Sequence, residues 1–149
     1  MINDRLKLRG DVALILKDKN GVIKESRNIN NLVVTAGLTF ICSRMEGVGA
    51  DVMSHMALGS SSTAAAAGDT DVGSILGARE ALDSTTASAN TIAYVSSFEA
   101  GEGTGAVVEA GIFNAVSAGT MLCRTVFPVV NKQADDTMSV TWTITLTAS

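Results

Sequence analysis

The fold class of this chain is decided by the stretch Thr137-Met138-Ser139-Val140-Thr141-Trp142-Thr143-Ile144-Thr145-Leu146-Thr147-Ala148. Apolar side chains occupy its even positions up to 146, and Ser or Thr occupies its odd positions. Successive side chains of a strand point to opposite faces of a sheet, whereas a helix would mix these residues on every face. The stretch therefore predicts a long strand with one hydroxyl-rich face and one buried face, and we expect the buried face to consist of Met138, Val140, Trp142, Ile144 and Leu146.

The preceding 80 or so residues contain further strand patterns separated by glycine-rich or polar turns. Strands are predicted at 91–98, 106–114 and 121–127 as an antiparallel meander, and a shorter one at 54–59. Strands at this spacing favour a mainly β fold, namely an antiparallel, jelly-roll-like β-sandwich. Its core is expected to include Ile112, Phe113 and Phe127.

The first 31 residues differ in character from the rest of the chain. Residues 6–28 predict a β-hairpin, because Asp18-Lys19-Asn20-Gly21 supplies a turn that accepts positive φ at little cost. Seven of the eleven Lys and Arg residues lie within residues 1–30. We therefore divide the chain into an N-terminal β-hairpin arm, 1–31, and a sandwich body, 32–149.

One short helix is predicted at about residues 35–45, and Gly47 ends it. Thr35 is its expected N-terminal cap. An apolar stripe at the spacing of one helical face predicts that the buried side consists of Val34, Leu38, Ile41 and Met45.

Composition excludes several classes of function. The 149 residues carry a net charge of −4, with the acidic residues concentrated in the body, which argues against non-specific binding to nucleic acid. No apolar stretch is long enough to cross a membrane, and the N-terminus does not resemble a signal peptide. We expect folding in a cytosol, with Cys42 and Cys123 as buried free thiols rather than a disulfide. Aromatic residues make up only 4%, so oligomerisation would help to stabilise a thin core.

No group of residues predicts catalysis, a metal site or a cofactor site. His55 is the only histidine, and nothing in the spacing of the cysteines places either of them beside it, so we interpret it as a strand histidine with a structural hydrogen bond. The Gly101–Gly105 segment lacks the Lys-Ser/Thr pair of a phosphate loop and is interpreted as a hairpin turn. The acidic pairs at 69–71 and 135–136 lack a calcium loop and are interpreted as surface carboxylates. No enzyme activity, cofactor or small-molecule substrate is therefore predicted.

Glu109 is the most informative charged residue, because it lies within the apolar run 107–113. Burying a carboxylate alone is costly, so Glu109 either pairs with a cation or points outward from an edge strand. Pairing is favoured over an exposed edge position, and both are favoured over a catalytic role. Arg124 is the first candidate partner, because it lies on a neighbouring predicted strand, and Arg79 is the second.

A set of short motifs occurs in a characteristic order along residues 30–149. The set consists of His55-Met56-Ala57-Leu58-Gly59, the small-residue loop 60–70 ending in Gly68-Asp69-Thr70, Arg79, Glu109-Ala110-Gly111-Ile112-Phe113-Asn114, the segment 119–128 with Leu122-Cys123-Arg124 and Pro128, Lys132, and the Thr-rich final strand. This order resembles the particle-attaching N-terminal domain of tailed-bacteriophage tail fibres. A fibre also has a shaft repeat and a receptor-binding tip, and we expect neither in this protein.

The resemblance implies a structural protein of a tailed-phage virion, assembled in the bacterial host cytoplasm. We expect a tail, baseplate or fibre-attachment protein present in symmetric copies. The alternative is a decoration (cement) protein on the exterior of the capsid head. In either case the expected partners are other virion proteins and copies of the chain itself, with no nucleic acid, membrane or small molecule among them.

Overall fold

The computed structural model of the chain describes residues 5–47, 49 and 51–148. One helix and ten strands are formed within these residues. In chain order they are β1 (Leu6–Lys17), β2 (Ile23–Asn30), β3 (Leu32–Val33), α1 (Thr35–Glu46), β4 (His55–Gly59), β5 (Glu80–Ala81), β6 (Ser84–Ser88), β7 (Thr91–Phe98), β8 (Gly105–Phe113), β9 (Met121–Lys132) and β10 (Thr137–Ala148).

The strands form two antiparallel five-stranded sheets that pack face to face. The first sheet has the order β2-β1-β10-β7-β6, and the second has the order β3-β9-β8-β4-β5. Buried side chains from both sheets form one hydrophobic cluster between them. The predicted fold class, a mainly β antiparallel sandwich with one short helix, is confirmed.

The final strand lies in the middle of the first sheet and has the predicted alternation. Met138, Val140 and Trp142 are fully buried, Ile144 is almost fully buried, and the intervening hydroxyl side chains are partly exposed. Leu146 departs from the prediction, because it is only partly buried. Burial decreases toward this end of β10, where the next two residues are exposed. The alternating sequence pattern therefore continues beyond the part of β10 that the second sheet covers.

The other three predicted core residues are buried in two different places. Ile112 and Phe127 belong to the cluster between the sheets. Phe113 is equally buried but belongs to a smaller cluster that also contains Val34, Ala57 and Met121. Neighbouring positions on a strand face opposite sides of the sheet, so Ile112 and Phe113 serve two separate apolar layers.

The described part of the predicted arm 1–31, which begins at residue 5, is not separate from the sandwich. β1 and β2 do form the predicted hairpin, with Gly21 at φ 79° in the turn. However, β1 also pairs with β10 along its whole length, from Leu6↔Ala148 to Lys17↔Thr137. Val12, Leu14 and Leu16 of β1 are buried in the core between the sheets. β1 is therefore an internal strand, and of the two hairpin strands only β2 lies at an edge of the sheet.

The helix occurs where it is predicted, but only half of the predicted stripe is buried: Val34 is fully buried and Ile41 packs partly buried against the core. Its buried residues are Gly37 and Phe40, whereas Leu38 is 48% and Met45 is 84% exposed. A Cβ atom at Gly37 would overlap the backbone of Leu122, so the helix approaches β9 through a residue without a side chain. The apolar pattern of the sequence cannot predict this contact, because glycine has no side chain that contributes to the pattern. The prediction of Thr35 as the cap is also wrong, because the N-cap is Val34 and it makes no side-chain capping bond.

Two further predictions are corrected by the strand pairing and by exposure. The Gly101–Gly105 segment follows β7 of the first sheet and leads into β8 of the second, so it crosses between sheets and does not close a hairpin. Only β8 and β9 of the predicted meander are paired neighbours in sequence order. Cys123 is buried as a free thiol, but Cys42 on α1 is exposed. No helix among the described residues is long and apolar enough to span a membrane.

Candidate functional site

The candidate site lies on the outer face of the second sheet, where residues 60–79 cross over β8 and β9. We call this segment the cover loop. Glu109 on β8 and Arg124 on β9 lie beneath it with 0% and 2% of their surface exposed. Glu109 is paired in register with Gly59 of β4, and Arg124 with Gly111 of β8. Two charged side chains therefore lie between a sheet and a loop, next to glycines that leave room for them.

The structure brings Glu109 and Arg124 into direct contact. Arg124 Nη2 lies 2.9 Å from Glu109 Oε2, and Arg124 Nε donates a hydrogen bond of 3.0 Å to the same oxygen. Backbone amides of the cover loop complete the site, since Ser61 N and Ser74 N donate to Oε1 and Gly73 N donates to Oε2, at 2.8 to 3.0 Å. A buried carboxylate is tolerated when its charge is paired and its lone pairs accept hydrogen bonds, and both conditions are met here.

Arg124 links the sheet to the part of the cover loop that lies between the residues contacting Glu109. Its Nη1 donates to Asp69 Oδ2 at 2.8 Å, and its Nη2 donates to the Thr63 carbonyl oxygen at 2.9 Å. The pKa of Asp69 is lowered mainly by a hydrogen bond from the Ala66 amide and further by Arg124, while partial burial opposes the shift. The guanidinium therefore contacts carboxylates from both sides and holds the loop by charge as well as by hydrogen bonds.

Glycines allow the cover loop to approach this closely. A Cβ atom at Gly59 would lie 2.6 Å from Cγ and 2.7 Å from Cδ of Glu109, well inside van der Waals contact. A Cβ atom at Gly111 would lie 3.0 Å from the ring of Phe113. The sequence pattern does not reveal why position 59 is glycine, because the side chain that needs the space is that of Glu109, far along the chain.

Arg79 does not pair with Glu109, contrary to the second choice made from the sequence. Its Nη1 donates to the carbonyl oxygens of Ala115 and Ala118 at 3.0 and 2.8 Å. Its guanidinium lies 3.5 Å from the centre of the Phe113 ring, and its ion pair is with Asp71 at 3.4 Å. Arg79 thus fixes the end of the cover loop to the turn after β8.

A small apolar layer lies under the same loop. It consists of four buried residues with two partly buried neighbours, namely Val34, Ala57, Phe113, Met121, Ala36 and Val72. The carboxylate–guanidinium pair and this layer together seal the outer face of the second sheet. The loop therefore covers this face of the sheet, while most of its own residues remain exposed at the surface.

A second buried charge site joins the two sheets at the start of β10. Lys132 is 1% exposed and donates to the Glu99 carbonyl oxygen at 2.9 Å, and its pKa is lowered by burial although nearby carboxylates oppose this. Asp136 is also buried and accepts hydrogen bonds from Lys24 Nζ and Gln133 N, both at 2.8 Å. These two bonds lower the pKa of Asp136. Sequence reasoning misses this site, since Lys24 and Asp136 are 112 residues apart.

The arrangement can hold a loop rigidly but offers little for chemistry. Both oxygens of Glu109 already accept hydrogen bonds, so it has no free position for a proton or a substrate. His55 is partly buried on β4, and its Nδ1 lies 2.7 Å from Ser54 Oγ. Within the part of the chain that the structure describes, no three His, Cys, Asp or Glu residues are grouped to hold a metal ion.

Comparisons of the chain with protein-family models, with curated proteins and with solved structures give no match.

Proposed function

We propose that this chain is a non-enzymatic structural component of a tailed-phage virion, belonging to the tail, baseplate or fibre-attachment apparatus and present in symmetric copies. Its partners are other virion proteins and further copies of itself. The observation that carries the proposal is the cover loop held by Glu109 and Arg124. Residues that carry the resemblance to fibre-attachment domains, which are far apart in the sequence, are used in this one assembly.

The motif residues act together in a way that suits a building block. Gly59 makes room for Glu109, Asp69 pairs with Arg124, and Arg79 packs on Phe113. All of these contacts fix the position of backbone and leave no reactive group exposed at the site. A particle component must present an invariant surface to its neighbours, and buried polar networks with every partner satisfied give that rigidity.

Locating the protein in purified phage particles tests the proposal. Particles banded by density gradient from an infected culture are analysed by mass spectrometry, and a cryo-electron microscopy map is searched for the ten-stranded sandwich. We expect stoichiometric recovery with the particles and density in the tail or baseplate. Density on the head exterior would support the decoration alternative instead. Recovery only in the unassembled fraction of the lysate would overturn the assignment to the virion.

A further inference from the structure

We propose that the free edge of β6, together with the apolar cavity beside it, is an acceptor site for one more strand, and that the strand is the β2 edge of a second copy of this chain. This deepens the proposed function and rests on it in one respect, namely that the chain works in repeated copies.

The first observation is that β6 is an unprotected edge. Ser84-Thr85-Thr86-Ala87-Ser88 pairs with β7 on one side only, and all five residues are exposed. The strand contains no charged residue and no proline, which are common means of protecting a sheet edge from further pairing. The charged residues of β2, at the opposite edge, are paired within the chain, Lys24 with Asp136 and Arg27 with Glu25.

The second observation is an apolar cavity of about 310 Å³ next to this edge. It lies between α1 and the β6–β7 pair and is lined mainly by Phe40, Val52, Met53, Ile92 and Tyr94, with Thr85 of β6 and Arg44 of α1. Val52 is 60% exposed. A strand added beside β6 would direct alternate side chains toward this cavity, which is how strand addition combines main-chain hydrogen bonds with side-chain pockets.

The chain itself offers a matching strand. β2 is the other edge of the same sheet, and it begins with Ile23, which is 56% exposed and follows the equally exposed Val22. A large apolar side chain of this kind fits the cavity, whereas the Ser, Thr and Ala residues of a second β6 are too small to fill it.

The charges around the two edges are complementary. Exposed Lys17 and Lys19 lie just before and within the turn that leads into β2. On the acceptor side, exposed Asp83 directly precedes β6, and exposed Asp51 directly precedes Val52 of the cavity. Complementary charges orient two copies as they approach each other, and they disfavour the pairing of two identical edges.

Contact between β2 of one copy and β6 of the next uses two different surfaces. In such a heterologous contact each copy uses β2 to bind one neighbour and β6 to bind another. The copies therefore form a closed ring, or an open chain with one free edge at each end. This is the kind of association that a symmetric particle component needs.

The test measures self-association of the purified protein by analytical ultracentrifugation over a range of concentrations. Wild type should show reversible association. Ile23→Lys and Ala87→Lys each place a charge at one of the two edges and should weaken association at least about tenfold. Val116→Lys is the matched control, because Val116 is 64% exposed but lies in the turn after β8, and it should associate like wild type. Circular dichroism melting confirms that all three variants are folded.

Mixing the two edge variants decides which edges meet. Ile23→Lys keeps an intact β6 and Ala87→Lys keeps an intact β2, so an equimolar mixture should form a 1:1 dimer and nothing larger. If Ile23→Lys alone associates like wild type while Ala87→Lys does not, β6 pairs with β6 and the inference is wrong. Association of Ala87→Lys at the wild-type level, or a wild type that is monomeric throughout, also overturns it.

Recovery of the protein in phage particles is measured in a separate experiment, so the two proposals can fail independently. A protein that is present in particles but monomeric in solution overturns this inference and leaves the proposed function standing. A protein that associates through β2 and β6 but is absent from particles supports this inference and removes the proposed function.

Discussion

Arg124 Nη2 lies 2.9 Å from Glu109 Oε2 beneath the cover loop, and the same guanidinium donates to Asp69 at 2.8 Å. One arginine therefore connects a strand of the second sheet with the loop that covers it. Because Glu109 also accepts three loop amides, the two charges and the loop stabilise one another, and removing any of them should loosen the others.

We expect Arg124→Met to lower the free energy of unfolding by about 3–5 kcal/mol, because it leaves the Glu109 carboxylate buried without its cation. Urea denaturation followed by tryptophan fluorescence measures the change. Arg9→Met is the control, since Arg9 forms an exposed pair with Asp11 at 2.9 Å and should cost less than about 1 kcal/mol.

The double variant Glu109→Gln/Arg124→Met provides the stricter check. Removing both charges leaves neither one unpaired, so the double variant should be much less destabilised than the sum of the two single variants. If the loss in the double variant equals the sum of the two single losses, the two side chains stabilise the fold independently. That result would contradict the coupling that we infer from their direct contact.

The space beneath the cover loop gives a second prediction. Gly59→Ala places a methyl group against Glu109 and should cost about 1–3 kcal/mol, as overpacking of tight sites does. Gly68→Ala, within the cover loop itself, meets nothing within 4 Å and should change stability by less than about 0.5 kcal/mol. Hydrogen exchange should show faster exchange of the Ser61, Gly73 and Ser74 amides in Gly59→Ala only. Equal effects of the two substitutions would show that the loop tolerates displacement at Gly59.

The sequence predicts the parts of this fold that depend on local pattern. The alternation in β10, the turn at Asp18–Gly21 and the bounds of the helix all follow from neighbouring residues. The need of Glu109 for a cation follows from its apolar surroundings. What the sequence cannot supply are contacts between distant segments: the loop amides on Glu109, the bond from Lys24 to Asp136, and the approach of Gly37 to β9. The placement of β1 inside a sheet is of the same kind, because its partner β10 begins about 120 residues later.

The alternation of β10 gives a third prediction. Trp142 is fully buried between Val12 of β1 and Tyr94 of β7, so Trp142→Ala should cost about 3–5 kcal/mol. Thr143 lies on the partly exposed face, and Thr143→Ala should cost less than about 1 kcal/mol. Thermal unfolding of the isolated proteins measures both. Similar losses at the two positions would contradict a strand with one buried face.

The last prediction concerns stability at acid pH. Bonds from Lys24 and the Gln133 amide hold the pKa of Asp136 below its ordinary value of about 3.9. A carboxyl group whose folded pKa is lowered stabilises the fold fully above its unfolded pKa and loses that contribution as the pH falls through the folded pKa. The difference in unfolding free energy between wild type and Asp136→Asn should therefore be largest near neutral pH and should shrink below about pH 4.

Asp135→Asn is the control for this measurement, because Asp135 is the exposed neighbour of Asp136 and should give a small difference at every pH. Urea denaturation at a series of pH values gives both curves. Neutral Asn at position 136 removes the pairing with Lys24 and also weakens the negative field around buried Lys132, so both effects act in the same direction. A difference that stays constant down to about pH 3 would show that Asp136 stabilises the turn through hydrogen bonds alone and that its charge contributes nothing.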